Sequence, residues 1–190
     1  MTLQDRVRRI LVSPKTEWRA IAAEPADVAS IYRNYIVILA VIPAVCSALG
    51  LLMFGFSIMG NTSLFGALRV GVATYVASLV GPFLAALVVD RLAPKFKSSG
   101  GLVAALKMVA YSSTPIWVAG VVNLVPALLP LGLLAALYAI YLFYVGLPAV
   151  MKTPIEQVVP FMAISALTLI VVNIVLRWVA SIMGVPGYGF

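Results

Sequence analysis

The side chains able to do polar chemistry inside the apolar part of this sequence are hydroxyls and amides. Ser112, Ser113 and Thr114 stand in a row, Tyr141 and Tyr144 follow, and Asn123 and Asn173 lie singly in long apolar runs. In hydrocarbon such groups hydrogen-bond between helices or contact a passing solute. No Asp or Glu falls deep inside those runs, which disfavours the carboxylate relays that couple proton or cation movement. The chain has no histidine and one cysteine, Cys46. The usual general base, the commonest metal ligand, any CxxC site and any intramolecular disulfide are therefore missing. There is no HExxH motif and no Ser–His–acid set. Lys107 and Ser112 are spaced loosely like a serine–lysine dyad, but Lys107 has the simpler task of marking the end of a span. The expectation is a non-enzymatic protein with no catalytic residues, no cofactor and no metal.

A second group is cationic. Arg6, Arg8, Arg9 and Trp18 lie in an amphipathic N-terminal stretch, and Lys95 and Lys97 flank Phe96 further on. Arginines beside apolar and aromatic side chains suit contact with anionic lipid headgroups. The alternative for the first stretch is packing against the bundle's own cytoplasmic loops, and for the second, control of topology.

The elements that must position these residues follow from the spacing of charge. Of 190 residues 63% are hydrophobic and 10% charged, with a net charge of +7, against about 45–50% apolar and about 25% charged in an ordinary soluble domain. Asn34 to Gly60 is a run of 27 uncharged residues, 20 separate Arg69 from Asp90, 44 separate Lys107 from Lys152, and 20 separate Glu156 from Arg177. A span needs roughly 20 apolar residues, and the run of 44 is interrupted at Asn123, Pro126 and Pro130. An all-α polytopic membrane protein of five helices is predicted, at about 34–60, 70–89, 108–128, 131–151 and 158–180. Continuous rather than alternating apolarity excludes a β-barrel.

Eleven of the 13 Lys and Arg residues fall in 1–33, 90–107 and at Lys152, leaving only Arg69 and Arg177 near the other face. The positive-inside rule then places the N-terminus in the cytoplasm and the C-terminus outside. The domain plan is a cytoplasmic amphipathic region at 1–33, a membrane domain at 34–183 and a short external tail at 184–190. No cleavable signal is expected, because the first long apolar run starts after residue 33. The basic residues are orienting flanks, so nucleic acid is not an expected partner.

Within 1–33, Leu3, Val7, Ile10 and Leu11 follow helical spacing, Ser13-Pro14 reads as a helix start, and Glu24-Pro25 as its stop. In the spans, Ser112–Thr114 and the pair Tyr141 and Tyr144 approach the same face from opposite directions and could satisfy one another. Asn123 and Asn173 are each 15 residues from expected cytoplasmic ends at 108 and 158, about 22 Å along a helix, and could pair. Helix adhesion is the favoured role for these polar residues, and lining a solute route the rival. Prolines 43, 82, 115, 126, 148 and 160 are distributed over all five spans; membrane helices accommodate them, so they barely favour transport. Ala73, Ala77 and Gly81 form a small-xxx-small line, a seam for self-association or an internal contact.

Residues 107–154 carry a further pattern. Ala110-Tyr111-Ser112 precedes Thr114-Pro115, then come the Pro126 and Pro130 turn, Leu137-Tyr138, Tyr141-Leu142, Gly146-Leu147-Pro148 and Met151-Lys152-Thr153-Pro154. With Ser13-Pro14…Trp18 and Tyr32…Tyr35, this resembles the bacterial branch of the Yip family, the Ypt/Rab-interacting membrane proteins, over about residues 10–180. The resemblance implies five transmembrane helices and a cytoplasmic N-terminus. Eukaryotic relatives are associated with Rab GTPases and early secretory trafficking. This chain lacks their long cytosolic N-terminal region and their Asp-Leu-Tyr-Gly-Pro-like segment, so that role is not transferred, and the resemblance brings no catalytic set.

The expected function is that of a membrane-organising adaptor or scaffold in a bacterial cytoplasmic (inner) membrane. Its expected partners are anionic lipid, and a protein or a second copy of the chain. The alternative is a channel or transporter for a small solute or ion.

Overall fold

The computed structural model describes residues 2–59 and 63–182, and among them the chain is helical with no strand. Helix α1 (Leu3–Val12) starts at Thr2, whose hydroxyl accepts the Asp5 N–H. Helix α2 (Pro14–Ala23) has proline in its first turn, where the missing N–H costs nothing. Pro25 disfavours helical geometry at the residue before it, and Glu24 is indeed extended and ends α2. Both N-terminal helices thus stand where Leu3–Leu11 and Ser13-Pro14…Glu24-Pro25 predict them.

The first long helix begins at Val28 rather than 34. Asp27 caps it, exchanging hydrogen bonds with Ser30 in a capping box. The Ser30 hydroxyl and N–H hold the Asp27 carboxyl below its ordinary value of 3.8. A lowered carboxyl pKa means that the cap is intact above the unfolded value and is lost as pH falls through the lower folded one. The protection of the Ser30 amide against hydrogen exchange, taken relative to the intrinsic rate at each pH, should therefore fall on acidification below pH about 4. Asp27→Asn, an equally good cap, should keep its protection; identical acid sensitivity in the variant would refute the assignment.

The first span is segmented: α3 (Val28–Ile31), a π-helical turn (Tyr32–Ile36), α4 (Val37–Leu39) and α5 (Val41–Met59). Pro43 cannot donate to the carbonyl four residues back, and the regular helix is interrupted at Ala40. Helix α6 (Leu64–Leu92) carries Pro82 inside it, and the nearby Leu79 carbonyl accepts the Tyr32 hydroxyl at 2.7 Å. Helix α7 (Gly101–Ser112) breaks at Ser113 before α8 (Thr114–Val118) and a 3-10 segment (Ala119–Leu124). Helices α9 (Leu129–Val150) and α10 (Ile155–Ile182) complete the described chain.

Among the described residues, four helices are long and apolar enough to cross a membrane: Val28–Phe54, Leu64–Phe96, Gly101–Leu124 and Pro130–Val150. Within α10 the stretch Ile155–Val171 is a shorter apolar helix. Helices α6 and α7 run beyond the charge gaps because they continue through charged ends: Asp90 and Arg91 lie inside α6, and Lys107 inside α7.

In the bundle α5 lies on α6 and on the 3-10 segment, α7 on α6 and α9, and α10 on α6 and α9. Two glycines let backbone approach backbone closely. A Cβ at Gly50 would fall 2.0 Å from the Asn123 carbonyl oxygen, and one at Gly120 would fall 2.8 Å from Pro43 Cα. The line Ala73, Ala77 and Gly81 does not form an internal seam. All three are exposed, and a Cβ at Gly81 would meet nothing within 4 Å, because α6 turns that stripe away from α5 and α7. Cys46 is buried with a free thiol.

Candidate functional site

Two polar regions emerge. The first lies where α1 and α2 meet the bundle. Their apolar faces, Ile10, Trp18 and Ile21, are fully buried. Gly146 on α9 leaves room for the indole, since a Cβ there would lie 2.7 Å from Trp18 Cε2. Trp18 meets Tyr111 edge-on at 6.3 Å between centroids, and Tyr138 donates to the Leu11 carbonyl at 2.7 Å. The N-terminal helices therefore form a hairpin docked along α9.

An ion-pair cluster sits inside this joint. Arg6 donates through Nη1 to Glu17 Oε1 at 2.6 Å and through Nη2 to Glu24, with its guanidinium 5.8 Å from the Tyr111 ring centroid. Lys107 donates to the carbonyls of Ile21, at 2.9 Å, and Glu24, so its ammonium closes the C-terminal end of α2, where a cation is favoured. A cavity of about 220 Å³ beside the cluster is lined by Glu24, Asn34, Tyr35 and Tyr111 among others.

Beneath it, a hydroxyl chain repairs a break in the backbone. Pro115 cannot donate to the Tyr111 carbonyl, which instead accepts the Thr114 hydroxyl at 2.7 Å. With its proton so used, Thr114 Oγ1 accepts from the Tyr35 hydroxyl at 2.6 Å. Tyr35 also packs its ring on Tyr111 at 4.5 Å. It lies in the π-helical turn, a distortion that often accompanies functional positions.

The second region is a groove of about 890 Å³ among α6, α7, α8, α9 and α10, lined by Ser112, Ser113, Tyr141 and Tyr144 together with apolar side chains. Tyr141, Tyr144, Leu137 and Ile140 are exposed, so the groove opens on the outer side of the bundle. Ser113 donates to the Val109 carbonyl at 2.8 Å, whereas the buried hydroxyl oxygens of Ser112 and Ser165 have no partner.

Several sequence-based expectations are corrected by this geometry. Arg6 and Trp18 are not lipid-facing: they are 7% and 0% exposed, because Glu17, Glu24 and Gly146 draw them into the joint. Arg8, Arg9, Lys95 and Lys97 are exposed, while Phe96 stacks on Phe161 at 4.9 Å. The structure brings Ser112, Ser113, Tyr141 and Tyr144 to one groove without hydrogen bonds between the two sets, and Thr114 pairs with Tyr35 instead. Asn123 donates to Ser47 Oγ at 3.0 Å, so its partner is on α5; the Asn173 side chain lies outside the described residues. A contact of this kind between membrane helices contributes about 0.6 kcal/mol, up to about 1.7. Asn123→Leu should lower stability in detergent by that amount, and unchanged stability would refute the adhesion role.

In the sequence Glu17 and Glu24 have no evident part in a site, and Tyr35 and Tyr111 stand only within the family pattern. Glu17 does carry a usable signal, falling on the same helical face as Trp18 and Ile21.

The model of the Yip1 domain matches residues 8–177, which takes in the groove and all of the ion-pair cluster except Arg6. The chain belongs to the Yip1 domain family. Among curated proteins, this Yip1 domain is similar to the inner membrane protein YohC of Escherichia coli strain K12. The two are 25% identical over 185 residues, covering 93% of each chain. The protein of the same name from E. coli O6:H1 strain CFT073 matches to the same extent. No solved structure matches.

Proposed function

We propose that this Yip1-domain protein is a non-enzymatic, five-span protein of a bacterial inner membrane, N-terminus in and C-terminus out. Its work is to organise the membrane by binding lipid or a protein partner at its cytoplasmic end. The segregation of charge carries this reading. Eleven of the 13 Lys and Arg residues and all six Asp and Glu residues belong to the segments at one end. There the 97–100 and 151–154 turns are tied together, Ser98 to Thr153 at 2.8 Å and the Ser99 N–H to the Met151 carbonyl at 2.8 Å. Arg8, Arg9, Lys15, Arg19, Lys95 and Lys97 are exposed, as an electrostatic contact with anionic headgroups or an acidic partner requires. The similarity to a protein named for the inner membrane supports the location, and α10, 28 residues long, has the length that a fifth span needs.

A reporter fused to the C-terminus tests the topology, and activity confined to the cytoplasm would overturn the odd span number. Retention of anionic lipid or a specific protein after gentle extraction should weaken when Arg8 and Arg9 are changed to Gln. Failure to retain either would sink the adaptor reading. Solute flux in liposomes that is abolished by Asn123→Leu would establish the channel or carrier instead.

A further inference from the structure

We propose that the groove among α6, α7, α8, α9 and α10 holds one acyl chain of a glycerophospholipid, with the buried Ser112 hydroxyl donating to its ester carbonyl. This rests on the lipid-binding reading above and gives it a site. The volume, about 890 Å³, lies in the range of small-ligand sites, about 300–1,000 Å³. Void space in a packed bundle leaves its lining without contact partners, and the surrounding bilayer supplies chains to fill it.

Two independent observations select a phospholipid. Ser112 and Ser165 line the groove, are 4% and 3% exposed, and have no hydrogen-bond partner. A buried hydroxyl left unpaired is costly, and an ester offers the acceptor that a bare hydrocarbon tail or an apolar helix face lacks. Ser112 lies five residues beyond Lys107 on α7, about 7.5 Å, which is the step from the charged boundary to the ester region just beneath it.

The second observation is charge. Tyr138 donates to Leu11 at the end of α1, and its ring lies 5.6 Å from that of Tyr141, which lines the groove. One ring thus separates the groove from the hairpin that carries the exposed Arg8, Arg9, Lys15 and Arg19. These cations complement a lipid phosphate. Against a second copy of the same basic end they would repel.

The experiment uses the full chain in vesicles of phosphatidylethanolamine and phosphatidylglycerol, offered as diester and diether forms, followed by mild delipidation and native mass spectrometry. The wild type should retain the diester form about threefold or more over the diether, the size of one membrane hydrogen bond. Ser112→Ala and Ser112→Ala/Ser165→Ala should remove that preference. Ala136→Phe/Ala163→Phe should lose most retained lipid, while Val72→Phe, on an exposed face outside the groove, should not. Thermal melts identify any variant that misfolds, and Ala163→Phe alone then replaces it.

Retention unchanged by the groove substitutions but lost in Arg8→Gln/Arg9→Gln would overturn the site and leave the lipid-binding reading standing. Equal retention of diester and diether lipid would overturn the role of Ser112. A stable dimer whose groove is shielded from lipid would overturn the occupant. No retained phospholipid in the wild type would overturn both this inference and lipid binding.

Discussion

Arg6→Ala should lower the stability of the detergent-solubilised protein by about 3–5 kcal/mol, the usual cost of removing one partner of a buried ion pair. The side chains of Arg6 and Glu17 are 9% and 4% exposed, so solvent screens this contact little. Without the guanidinium, Glu17 remains buried with no cation, Glu24 loses its partner, and the Tyr111 ring loses the group over its face. Arg8→Ala, at an exposed position, should change stability by no more than about 0.5 kcal/mol. Replacing Arg6 and Glu17 together with Met should recover most of the loss, because no isolated charge is left behind. Thermal unfolding followed by circular dichroism gives the three values, and limited proteolysis reports whether the α1–α2 hairpin has left α9. Equal effects of Arg6→Ala and Arg8→Ala would show that the cluster does not hold the joint.

Gly50→Ala is the second large effect. Its added methyl would lie 2.0 Å from the Asn123 carbonyl oxygen and 3.2 Å from Leu124 Cα. These are backbone atoms that no rotamer change can move, so α5 and the 3-10 segment must separate, and the Asn123–Ser47 hydrogen bond with them. Overpacking of this kind costs about 1–3 kcal/mol, and the rigidity of the obstacle places Gly50→Ala at the upper end. Gly81→Ala provides the opposite sign: with open space around it, it should stabilise by up to about 1 kcal/mol through helix propensity. The pair separates crowding from propensity in one melting experiment. A neutral Gly50→Ala would mean that the two segments are not in contact.

The α1 and α2 boundaries were legible because Ser13-Pro14 and Glu24-Pro25 act through local sterics. The placement of the long apolar helices was legible because charge is expensive in hydrocarbon and its absence over about 20 residues has one ready explanation. Helix faces were less readable. Helices α5, α6, α9 and α10 are apolar nearly all round, so no polar side reveals which flank turns inward. The small-residue line of Ala73, Ala77 and Gly81 is indistinguishable in sequence from a packed seam, and it lies outward. Gly50, Gly120 and Gly146 make the close approaches instead.

The roles of the charged residues divided in the same way. That Arg6, Arg8 and Arg9 belong to a basic end follows from composition and position alone. That Arg6 is enclosed while Arg8 and Arg9 stay outside depends on Glu17, 11 residues later, and Glu24, 18 residues later. Only the docked hairpin brings those residues to one point. Likewise the presence of hydroxyls within the spans is written in the chain, but the pairing of Tyr35 with Thr114, 79 residues apart, comes from the break at Pro115. The sequence by itself determined a membrane-spanning helical chain with its charge at one end, because transfer free energy is read residue by residue. The tertiary structure decided which polar groups meet and which remain open to a ligand, because those contacts are fixed by packing between elements far apart in the chain.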